Sequence, residues 1–181
     1  MENWSRTIPS LMAQWNVERS QLIKLLASTR DGWIAADLRG WTGANRLYSA
    51  VGPALHSLVK QQEAFIVTTK QAQYVDVLLR ELAGVELAPE RIVSTAETGE
   101  PKATVLEHLQ ARFPDTRYHF VEDRAATLES VAAMPEMERW KLHLADWGYN
   151  TPEEREACRA RPDCRIEVLS RRQLFKAFVQ V

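Results

Sequence analysis

No stretch of this chain holds the roughly 18 consecutive apolar residues that a membrane-spanning helix needs. An excess of one charge is missing too. Basic side chains number 23 against 24 acidic, so no electrostatic case for nucleic acid or an anionic membrane arises. The opening residues, MENWSRTIPS, lack a basic stretch followed by an apolar core, and they lack the Arg/Ser-rich character of a transit peptide. The chain is therefore expected to be cytoplasmic. Cysteine is scarce: Cys158 and Cys164 stand six apart in an arginine-rich stretch with no histidine nearby. That spacing argues against a zinc site and favours two reduced thiols over a structural disulfide. Internal repeats and low-complexity segments are absent as well.

What is present is ordinary in amount and informative in order. A hydrophobic share of 45% and a charged share of 26% suit a globular protein, and 181 residues allow one α/β domain with a helical addition. Residues 1–60 carry no convincing strand, and helical spacing runs over Ser5 to Trp15, Glu18 to Ser28, Arg30 to Arg39 and Ala44 to Gln62, the last broken or started afresh at Gly52-Pro53. Asn16 is placed to cap the second of these helices, with Arg19 where a capping box would want Glu. Four of the six tryptophans fall in the first 41 residues, either filling helix–helix contacts or forming the aromatic face of a cap over a substrate.

From Ala64 the period changes. Strands are expected at 64–69, 91–95, 118–122, 140–145 and 165–169, alternating with helices at 70–83, 102–113, 124–134, 152–160 and 171–178. Gly84, Pro114 and Pro135 punctuate the pattern, and Thr151-Pro152 has the composition of a helix start. Alternation with short loops predicts a Rossmann-like parallel sheet with flanking helices over residues 63–181 and right-handed crossovers, preceded by a helical cap region over 1–62.

In such a fold ligands bind beyond the carboxyl ends of the strands. Those ends carry Thr68, Thr69 and Lys70, then Glu122 and Asp123, then Asp146, while Lys102 opens an intervening helix. Hydroxyl and lysine suit phosphoryl oxygens, and the carboxylates suit Mg2+.

The order of Thr68, Lys102 in GEPKATVLEHL, and the acidic pair Glu122-Asp123 resembles haloacid dehalogenase-like hydrolases, and ADWGYNT is similar to the turn of their phosphoglycolate-phosphatase-like members of cyanobacterial and plastid type. The resemblance spans roughly residues 64–179 and gives the residues roles. It implies that Thr68 and Lys102 hold phosphate and act in catalysis, with Thr69 and Lys70 lining the site. Asp123 and Glu122 are implied as ligands of Mg2+; the further acidic residue that many relatives carry four positions after the aspartate is here Thr127. The substrate implied is a small phosphorylated metabolite, with neither nucleic acid nor membrane as partner, and a plastid location if the source is a photosynthetic eukaryote. One motif is missing. That family begins with a strand ending in Asp-x-Asp, whose first aspartate is the nucleophile. Asp31 and Asp37 are six apart in a helical stretch and do not supply it. The central first strand is thus expected to be absent: either the flanking strands at 64–69 and 118–122 close up, or an upstream segment or another polypeptide supplies it. The expected function is the C-terminal part of a Mg2+-dependent phosphatase, inactive alone; the alternative is a non-catalytic binding or regulatory protein with a vestigial phosphate site.

Overall fold

The structure is a computed structural model that describes residues 4–160 and 165–179. Cys164 lies outside the described residues; Cys158 is buried. The chain divides into two compact units, Met1–Arg46 and Leu47–Val181.

The first unit is helical: α1 (Trp4–Gln14), α2 (Arg19–Ala36) and α3 (Leu38–Gly43). Two stretches expected as separate helices, 18–28 and 30–39, are mostly one, because α2 runs through Arg30 and Gly32 to Ala36. A helix tolerates a single interior glycine at about 1 kcal/mol. The start of α2 is also corrected. Glu18, not Asn16, is the capping residue, and its N–H donates to Gln21 Oε1 at 2.9 Å. Asn16 instead turns the chain with a left-handed φ of 49°, a conformation asparagine bears better than most residues. Asp37 caps α3 by accepting from Gly40 N at 2.8 Å, and a Cβ at Gly40 would lie 1.9 Å from that carboxylate. Leu22, Ile23, Leu25, Leu26 and Trp33 of α2 are exposed.

The second unit holds α4 (Val51–Gln61) and all five strands among the described residues. β1 (Ile66–Thr68) pairs with β2 (Ile92–Ser94) in parallel, Thr68 opposite Ser94. β3 (Tyr118–Glu122), β4 (Trp140–Ala145) and β5 (Ile166–Leu169) form a second parallel sheet in that order. The fold is a Rossmann-like mixed α/β arrangement, its five described strands lying in two small parallel sheets flanked by helices, with no central strand between β1 and β3 among the described residues. β1 and β3 each end their sheet, and no ladder joins them. Helices connect the strands: α5 (Ala72–Leu78) continuing as a π turn over 79–83, α6 (Thr95–Thr98), α7 (Lys102–Arg112), α8 (Ala125–Ala132), α9 (Pro152–Ala160) and α10 (Arg171–Val179). Gly84 ends the π turn at φ 61°, where a side chain would be strained.

Alternation along β3 decides which side chains go inside. Tyr118, Phe120 and Glu122 are buried and His119 and Val121 exposed, the period of two that a pleated strand imposes. The inward row joins Leu142, Leu144 and Ile166 with Leu106, Leu128, Val131 and Cys158 in the larger core. Each fully buried leucine there contributes about 1.5–3 kcal/mol. A smaller cluster of Leu79, Val85, Leu87 and Ile92, with Leu55 and Val59 of α4 against it, supports the first sheet. No helix among the described residues is long and apolar enough to cross a membrane.

Candidate functional site

The pleat that buries Phe120 also buries Glu122, two residues on, and a buried carboxylate needs a partner. α7 supplies it. Lys102, the first residue of that helix, places Nζ 2.5 Å from Glu122 Oε2, with the glutamate side chain 4% and the lysine 20% exposed. The second oxygen, Oε1, accepts from Arg124 N at 3.2 Å. A cation at a helix N-terminus opposes the helix dipole, and Glu122 offsets that cost. Both oxygens of Glu122 are therefore engaged.

Asp123 follows at the strand tip and is wrapped by the loop after β4. Its Oδ2 accepts from Tyr149 N at 3.0 Å and its backbone carbonyl from Asn150 Nδ2 at 2.8 Å. The same Asn150 amide donates to Ala145 O at 2.8 Å. Arg155 braces the loop from α9, donating to Asn150 Oδ1 at 2.8 Å and to Asp146 O at 3.2 Å. Gly148 makes the approach possible: a Cβ there would lie 2.2 Å from the Asp123 Cβ. Thr151 then closes a full capping box, accepting from Glu154 N at 3.2 Å and donating its own N–H to Glu154 Oε2 at 2.7 Å.

Thr68 sits at the end of the other sheet. Its Oγ1 accepts from Lys70 N at 3.0 Å, a local turn that holds Thr69 and Lys70 beyond the strand. Thr95 Oγ1 donates to Thr68 O at 3.2 Å, and Glu97 Oε1 accepts from Ala72 N at 3.1 Å, so α6 fastens both the tip and the helix that follows. Opposite Thr68 in the ladder, the Ser94 hydroxyl is buried with no hydrogen-bond partner among the described residues. α7 packs against β1 and α8, bridging the two sheets.

No family model, no curated protein and no solved structure matches the chain. The site must be judged on its own chemistry.

The structure brings Lys102 and Glu122 into contact and places Asp123 beside them in sequence. Thr68, Thr69 and Lys70 stand on the separate first sheet. Sequence reading missed Ser94, Asn150, Arg155 and the Gly148 contact. Only the WGYN turn carried a signal for any of these, through its glycine and its amide. For Mg2+ the donor set is small. Among the described residues no group of three or more His, Cys, Asp or Glu could hold a metal. Mg2+ takes only one or two carboxylates when substrate phosphate and water complete its shell, and the strand tip offers Asp123, whose Oδ2 already accepts from Tyr149 N.

Proposed function

We propose that the chain is the body of a haloacid dehalogenase-like, Mg2+-dependent phosphatase for a small phosphomonoester, which does not itself contain the aspartate nucleophile. One observation carries the reading: Lys102 and Glu122, 20 residues apart, meet at the carboxyl end of a parallel strand. In this reading Thr68 and Lys102 bind the phosphoryl oxygens, Thr69 and Lys70 line the site, and Asp123 with Glu122 holds the metal. Mg2+ would neutralise charge on the transferring phosphoryl group. The ion pair adds a condition. Glu122 can turn to a metal only when Lys102 leaves it for phosphate, so the two ligands should bind together. The missing nucleophile would arrive on a strand lying between the edges of β1 and β3, from an upstream segment or another polypeptide.

The test is turnover of p-nitrophenyl phosphate with Mg2+. The chain alone should show none, and activity above a Lys102→Ala control would overturn the proposal. Inorganic phosphate and Mg2+ should raise Tm more together than the sum of their separate effects. A second reading, a non-catalytic phosphate-binding protein, is favoured by the full engagement of Glu122 within the chain. It predicts that phosphate alone raises Tm and that Mg2+ adds nothing.

A further inference from the structure

The outward face of the larger sheet carries a cluster of titratable groups that the phosphate site does not use. His119 on β3 and His143 on β4 lie edge to edge in nearly one plane, 5.3 Å between centroids and 8° from parallel. His119 Nδ1 is 3.0 Å from His143 Nε2. Phe178 of α10 packs edge-on against both rings, at 5.0 and 5.4 Å. His143 is 4% exposed, whereas His119 is exposed to solvent. On its other side His143 Nδ1 faces Oε2 of Glu167, an exposed residue of β5, at 3.4 Å, close enough for attraction but not aligned as a hydrogen bond.

A contact between two imidazole nitrogens needs one N–H and one lone pair. A proton on His143 Nδ1 is the one drawn toward Glu167, which leaves His143 Nε2 as acceptor and His119 Nδ1–H as donor. His119 Nε2 is then the open base. A first proton taken there leaves the His–His bond intact. A second must go to His143 Nε2, which turns donor against donor, places two cations under one phenylalanine edge and breaks the bond.

We propose that this pair is a proton-counting latch for the C-terminal helix: α10 stays docked through Phe178 with zero or one added proton and is released by the second. This goes beyond the phosphatase reading and does not depend on it. The surroundings favour the effect. β4 adds Lys141, β5 adds Glu167, and Arg117 precedes β3. α10 carries Arg171, Arg172 and Lys176, with Arg171 donating to Ser49 Oγ at 2.7 Å. α4, which packs on α10, carries Lys60 and His56, the latter bonded to Gly84 O at 3.1 Å. Glu167 is the one carboxylate in that set. Burial holds both imidazoles below the ordinary histidine range; for His119 the charges of His143, Lys141 and Arg117 add to it, while for His143 the Glu167 carboxylate works against it. A histidine depressed on folding takes up its proton more readily in the unfolded chain. Its stabilisation is therefore full above about pH 6.5 and is lost as pH falls from there through the folded value.

Amide hydrogen exchange on the full chain at pH 7.5 and 5.0, corrected for intrinsic rates, tests the latch. Helix α10 should exchange faster at pH 5.0, by up to about thirtyfold, the limit set by the roughly 1.5 units between pH 5.0 and the ordinary histidine value. His119→Gln should abolish the change, because its amide can donate to neutral His143 and turn to accept from the protonated form. Equal α10 protection at both pH values, or the same loss in His119→Gln, would overturn the proposal. Should that variant not fold, nitrogen NMR of the wild-type rings decides. Two separate titration steps with His143 last support the latch, and a single step near pH 6.5 overturns it.

Discussion

The two sheets of the second unit use the same parallel geometry, yet they are held by different means. β3, β4 and β5 bury one continuous apolar row against α7, α8 and α9, and three of their side chains, Leu142, Leu144 and Leu169, are no more than 1% exposed. β1 and β2 are three residues each, β1 is only half-buried along its length, and the cluster beneath them has four buried members. Side chain–to–backbone bonds, such as Thr95 to Thr68 O, stiffen them where core is lacking. The difference teaches that a sheet edge without a neighbour can be kept by local polar ties, at the cost of depth of burial.

The sharpest way to break this contrast is to delete matching side chains. Leu144→Ala in β4 should cost about 2–5 kcal/mol, read as a fall in urea midpoint at unchanged slope. Next comes the polar junction. Lys102→Ala strands the buried Glu122 and should cost about 1–3 kcal/mol, below the range for fully buried pairs because the ammonium is partly solvated. The double variant Lys102→Met with Glu122→Gln should recover most of that loss, and a cycle showing no coupling would remove the ion pair from the account. Gly148→Ala should follow at about 1–3 kcal/mol, since its methyl group must displace Asp123. Smallest of all, Ile66→Ala in the half-buried β1 should cost less than the roughly 2–5 kcal/mol of a fully buried Ile→Ala and raise exchange in the first sheet alone. An Ile66 effect as large as that of Leu144 would mean that the two sheets unfold as one.

Much of this arrangement was legible in the chain. The strand at 118–122 and the strand at 140–145 stand where the apolar runs end in carboxylates, and Thr151-Pro152 opens α9 because cap and fixed φ are both written locally. Continuity of α2 was not legible, since Arg30-Asp31-Gly32 has the look of a break and only the completed ladder carries the helix across. The engagement of Glu122 was also hidden. Alternation marks position 122 as inward, but which cation meets it depends on where α7 begins in space. The paired histidines were out of reach for the same reason. Separated by 24 residues, each reads as a lone histidine until β3 and β4 come into register.

The clasp of Asp123 by the loop after β4 has an optical consequence. Trp147 sits within the segment that Tyr149 N and Asn150 tie to this aspartate, next to the glycine that touches it. A ligand that pulls on the Asp123 carboxylate pulls on the loop that carries this indole, so Trp147 emission should report on the strand tip. The emission difference between the native chain and Trp147→Phe, followed while Mg2+ or phosphate is added, would isolate that signal from the other five indoles.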